Sequence, residues 1–179
     1  MLDSPSLSQL AGVPLTLKAE NFQRTGSFKL RGATNAIAKL PPDRLACGIV
    51  AASAGNHAQA VARAAEKAGA KATVCMPADA PLAKLEAVRR LGVEVRLCEG
   101  TYEDAQDAAR GLAESEGRTV IHAFADPDVI AGQGTVALEI AADAPETRLL
   151  VVPMGGGGLV SGVAIAAKDR LEGVRVVAV

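Results

Sequence analysis

Short apolar runs rich in β-branched residues recur along this 179-residue chain, each followed by a stretch with helical periodicity. That alternation restricts the fold more than any other feature. Strands are expected at Val13–Lys18, Gly48–Ala52, Ala72–Met76, Glu94–Cys98, Thr119–His122, Leu149–Pro153 and Val174–Val179. Helices are expected at Ser27–Lys39, Asn56–Ala68, Pro81–Leu91, Tyr102–Glu116, Ile130–Ala141 and Leu159–Leu171. Strand and helix at this spacing build βαβ units, so the expected class is α/β with largely parallel sheet and right-handed crossovers. There is no repeat, low-complexity tract or long linker. Any division into domains must therefore be spatial.

With aromatic residues at only 2% and no Trp, the core must be built from Ala, Val, Leu and Ile. The 19 basic and 20 acidic side chains give a net charge of −1. No basic surplus is present to hold a phosphate backbone, which argues against nucleic acid as a partner. The N-terminus lacks the pattern of a signal peptide. No apolar run is long enough to suggest a membrane span. Cys47, Cys75 and Cys98 lie singly in or beside apolar runs, which reads as reduced thiols rather than a disulfide framework. His57 and His122 are the only histidines, with no acidic pair at ligand spacing beside them, so no metal site is expected.

The chemistry concentrates in three loops. In SFKLRGA, Ser27 is a plausible N-cap and Lys29 falls in the first helical turn. The positive end of a helix disfavours a protonated lysine and favours the neutral amine that condenses with aldehydes. In SAGNHAQ, Ser53, Asn56 and His57 stand between a strand and an Ala-rich helix, a position where α/β proteins bind small anions. In PMGGGGLVSG, four glycines follow a strand and precede a helix, which lets main-chain N–H groups approach a phosphate. Taken singly, each loop has a plainer reading. Lys29 and Arg31 fit a solvated helix face, Ser53 and Asn56 fit caps, His57 fits a surface histidine, and the glycines fit half of a dinucleotide fingerprint.

Together and in this order, the three loops resemble the fold-type II pyridoxal-phosphate (PLP) enzymes, in particular the threonine dehydratase and serine racemase group. HAFADPDVIAGQGTVALEI, His122–Ile140, resembles the family's segment leading into the phosphate-loop strand. The resemblance spans essentially the whole chain. It implies two α/β lobes of the tryptophan synthase β-like kind, each with a largely parallel sheet flanked by helices. Residues 1–47 and 119–179 would belong to the larger lobe and residues 48–118 to the smaller. It implies that Lys29 carries the cofactor, that Phe28 packs near its ring and that Asn56 bonds its 3-oxygen. Gly155, Gly156, Gly157, Gly158 and the amide of Leu159 would cradle the phosphate. Ser53, Asn56 and His57, by side chains or main-chain amides, would receive the substrate carboxylate.

The implied reaction is α,β-elimination of L-threonine or L-serine to a 2-oxo acid and ammonia. The implied setting is cytoplasmic amino-acid metabolism, including isoleucine biosynthesis, in a homo-oligomer. Racemases of the group carry a serine where this chain has Ala54, which favours dehydration over racemisation. Sister enzymes of β-replacement and threonine synthesis show TGNT and KDR, where this chain has SAGNH and Leu30. The family's chain continues well beyond Val179, so the larger lobe is expected to be truncated at its C-terminus. A non-catalytic remnant is the alternative of a different class.

Overall fold

The computed structural model describes residues 1–179. A short antiparallel ribbon, β1 (Leu2–Asp3) with β2 (Thr16–Leu17), encloses α1 (Pro5–Ala11). The longer strand expected over Val13–Lys18 is thus cut to two residues, since Pro14 has no N–H to give a ladder. Helix α1 and a second short helix, α3 (Pro42–Cys47), were not expected from the sequence. Each has proline at its start and is closed by glycine with positive φ, Gly12 at 70° and Gly48 at 93°. Helices this brief are too short for periodicity to reveal.

The main sheet has the order β5-β4-β3-β6, all parallel: β3 (Ile49–Ala52), β4 (Ala72–Pro77), β5 (Glu94–Cys98) and β6 (Thr119–Val120). The helices α4 (Asn56–Ala68), α5 (Leu82–Arg89) and α6 (Tyr102–Glu116) connect these strands. On one face, Ile49 and Ala51 pack with Ala33 and Ile37 of α2 (Lys29–Ala38) and with Ala60 and Val61 of α4. On the other, Val50 and Cys75 pack with Ala105, Ala109 and Leu112 of α6. Cover on both faces is why β3 and β4 read as unbroken apolar runs. The chain leaves β3 toward β4, while β6 flanks β3 on its other side. The loop Ser53–Gly55 therefore sits where the strand order reverses, the place α/β sheets offer to ligands.

Helix α7 runs from Pro127 to Asp143, three residues earlier than expected. Asp126 caps it: its carboxylate accepts the N–H groups of Asp128 (2.7 Å) and Val129 (3.1 Å). The Asp-Pro pair was the legible signal for that start. Helix α7 then crosses two partners at glycines. A β-carbon on Gly132 would lie 2.6 Å from Gly32 Cα of α2. One on Gly162 of α8 (Gly158–Arg170) would lie 2.7 Å from Gly134 N of α7. Between these crossings Gln133 is fully buried and its Oε1 accepts the N–H of Gly32 at 3.1 Å. So α7 locks the helix that starts at Lys29 to the helix that starts at the glycine run.

The last strands, β7 (Leu149–Val152) and β8 (Arg175–Ala178), pair in parallel beside α7 and α8. The near-continuous apolar run Val174–Val179, expected as a strand, would suit a strand covered on both faces. In the structure β8 is partly exposed, because α7 and α8 cover one face of this pair and leave Leu149 and Val151 at 51% and 60% exposure. No helix is long and apolar enough to cross a membrane.

Candidate active site

Lys29 is the first residue of α2, and its Nζ lies 2.7 Å from the carbonyl oxygen of Ala123. Burial pushes its ammonium below the usual lysine range, which favours the neutral amine. The Phe28 ring lies beside it, with its centroid 5.2 Å from Nζ. The expected cap by Ser27 is not formed. Phe28 takes the N-cap position in helical conformation, and Ser27 Oγ is buried with no hydrogen-bond partner. Two residues on, Arg31 turns inward rather than to solvent. Its guanidinium bonds Glu20 (2.7 Å), Glu139 (2.5 Å) and Thr135 (3.0 Å), and holds the Glu139 carboxyl down at about 2. This network ties the segment before α2 to α7.

In the second loop, Ser53 Oγ accepts the N–H of Gly55 at 3.1 Å, closing a tight turn before Asn56 opens α4. The Asn56 side chain is exposed. His57 is buried, and its Nε2 donates to the carbonyl of Ile121 at 2.8 Å. A carbonyl can only accept, so Nε2 carries the proton and Nδ1 is left as a buried acceptor without a partner. With the imidazole turned inward, the groups His57 presents at the loop are main-chain ones. The first-turn N–H groups of α4 have no carbonyl within their own helix to bond.

In the third loop, Gly157 adopts a positive φ of 83° and caps α8, whose first N–H groups are likewise free for a ligand. The glycines divide by role. Gly156 and Gly158 face Phe124: a β-carbon on Gly156 would lie 2.5 Å from its Cγ, and one on Gly158 would lie 2.9 Å from its Cα. Gly155 and Gly157 have nothing within 4 Å of the same position. The open faces are therefore those of Gly155 and Gly157.

The three loops meet at residues Ile121–Ala125. Ile121 O receives His57, Ala123 O receives Lys29, and Phe124 lies against the glycines. The resemblance over His122–Ile140 covered most of this segment but assigned it no role in the site; an aromatic ring in a chain with so few was the usable signal. A half-buried lysine amine pushed below its usual range, an open glycine run at a helix N-terminus and orphaned polar atoms at Ser27 and His57 fit a ligand bearing an aldehyde and a phosphate.

The whole chain, residues 1–179, matches the pyridoxal-phosphate dependent enzyme family. An L-threonine ammonia-lyase of Thermotoga maritima is 49% identical over 176 residues, 98% of this chain and 44% of that protein. The processed form of threonine deaminase isoform 2 from Solanum lycopersicum superposes with a TM-score of 0.94 at 41% identity, covering 97% of this chain and 51% of that one. Serine racemase from Dictyostelium discoideum gives a TM-score of 0.94 at 41% identity, covering 99% and 58%. The chain thus spans about half the length of these relatives. A match that runs from the first residue to the last, joined to near-superposition on such structures, makes this chain a member of the pyridoxal-phosphate dependent enzyme family.

Proposed function

We propose that the protein carrying this chain converts L-threonine or L-serine to a 2-oxo acid and ammonia with PLP as cofactor. The observation that carries this is Lys29: a half-buried amine at a helix start, held below its normal pKa and bonded to Ala123 O on the segment that the other two loops also touch. Lys29 would hold the cofactor through Nζ, with Phe28 and Asn56 beside the ring and Gly155 to Leu159 on the phosphate. When bound, PLP supplies an electron sink for the carbon that loses its proton.

The residues of the chain supply the rest. Ala123 O accepts one N–H of the neutral Lys29 amine, which leaves the nitrogen lone pair free to take the substrate Cα proton. The Ser53 hydroxyl and the main-chain N–H groups of Asn56 and His57 hold the carboxylate, since the Ser53 N–H is already bonded to Cys75 O. The Cα–H and Cβ–O bonds break, water leaves, and the released enamine takes up water to give the 2-oxo acid and ammonia. Ala54 has no proton to deliver to the opposite face of Cα, which favours elimination over racemisation. The relatives named above include a serine racemase, so racemisation is the competing reading. The two-lobe division at residues 47/48 and 118/119, assembly as a homo-oligomer, cytoplasmic location and service to isoleucine biosynthesis belong to this proposal.

Borohydride reduction of the PLP-loaded protein followed by peptide mapping tests the assignment. A label on Lys29 supports it; a label on Lys18, Lys39 or Lys168 refutes it. Lys29→Ala is expected to lower 2-oxo acid formation at least about a thousandfold. Rapid accumulation of D-serine in place of a 2-oxo acid would establish the racemase reading instead.

A further inference from the structure

We propose that Phe124 is a positioning residue for the phosphate-binding glycines, a role that rests on the PLP reading above. Its ring lies against Gly156, and its Cα and Cβ lie against Gly158. A β-carbon on Gly156 would stand 2.5 Å from Phe124 Cγ and 2.7 Å from Cε1. One on Gly158 would stand 2.9 Å from both Cα and Cβ of Phe124. Gly156 and Gly158 are therefore small because of Phe124, whereas Gly157 is glycine because its φ is 83° and Gly155 faces open space. Gly156→Val would therefore disturb the packing against Phe124 as well as the anion site.

Phe124 is itself held firmly. The His122 ring meets it edge to face, with centroids 4.7 Å apart and planes at 86°. His122 Nδ1 accepts the N–H groups of Phe124 (3.2 Å) and Ala125 (2.8 Å), which fixes the turn that carries the ring. The residue just before Phe124 receives Lys29 through its carbonyl. One short rigid turn thus sets the distance between the amine and the phosphate cradle, the two ends of a single ligand. A loop of consecutive glycines has large conformational freedom and needs such a seat to present its N–H groups in one arrangement.

The test compares PLP with pyridoxal, which has the aldehyde and lacks the phosphate, by equilibrium binding to the protein carrying this chain. Phe124→Ala is expected to raise the dissociation constant for PLP about tenfold or more while that for pyridoxal changes less than about twofold. Phe124→Leu, a milder truncation that keeps apolar bulk, should give a smaller shift of the same kind, and Phe124→Tyr should restore PLP affinity. Parallel losses for both ligands would mean that Phe124 supports the pocket generally and would overturn the proposal. Unchanged affinity for both in Phe124→Ala and Phe124→Leu would overturn it too. A wild-type protein that binds neither ligand would remove the PLP reading itself, and this inference with it.

Discussion

β3 and β7 have similar sequences, IVAA and LLVV, and quite different surroundings. In β3, Ile49, Val50 and Ala51 are all at 0% exposure, because α2 and α4 cover one face and α6 the other. In β7, every second side chain is exposed, because α7 and α8 cover one face only. The loops that leave these strands differ in the same way. After β3 the turn is closed by Ser53, and the buried His57 fixes the start of α4. After β7 the turn consists of glycines, two of which are laid against Phe124. The well-covered region shapes its loop from side chains held in the core, and the half-covered region shapes its loop from backbone and sterics.

The largest test of this contrast is truncation in each strand. Ile49→Ala should destabilise by about 2–5 kcal/mol, and Leu149→Ala by less than about 1 kcal/mol, in urea unfolding of the 179-residue chain. If the two costs are equal, the contrast fails for this chain. If the Leu149→Ala cost rises in a longer protein that carries it, other elements cover β7 there.

A second test uses pH and the buried histidine of the first region. Burial, the leading cause, pushes His57 from 6.5 to about 4, with the Lys29 and His122 charges adding to the effect. Between those values the unfolded chain binds the proton that the folded one refuses. Stability is therefore fully present above about 6.5 and is lost as pH falls to about 4, by about 3 kcal/mol if His57 acts alone. In the cofactor-free protein, His57→Gln should flatten this part of the pH–stability curve. A wild-type curve with no such slope would show that the imidazole is not buried as described.

The glycines give the smaller effects. Gly162→Ala, with its new carbon 2.7 Å from Gly134 N, should destabilise by about 1–3 kcal/mol through overpacking where α8 crosses α7. Gly32→Ala, 2.7 Å from Val129 O, should do the same where α2 crosses α7 and should also weaken PLP binding by shifting Lys29. Gly111 of α6 has nothing within 4 Å, so Gly111→Ala should stabilise by about 0.5–1 kcal/mol from helix propensity alone. Thermal unfolding of the three variants would separate glycines required by close approach from one that is not.

The sequence by itself determined the α/β class, nearly all the long elements and the three candidate loops between them. Local physics suffices for these: apolar periodicity, Ala-rich helix formers, and glycine at helix ends depend on neighbours a few residues away. It marked Lys29 as a candidate by its place at a helix start, and the resemblance carried by the three loops together gave that lysine its expected role. What it could not determine was direction and cover. His57 turns inward to Ile121, 64 positions away; Arg31 turns inward to Glu139, 108 positions away; Phe124 supports glycines far along the chain. Whether β8 is buried depended on which faces of β7 and β8 the helices reached, and its apolar run fitted either outcome. Such contacts join residues whose separation in sequence carries no record of their meeting, so only the packed tertiary structure decides them.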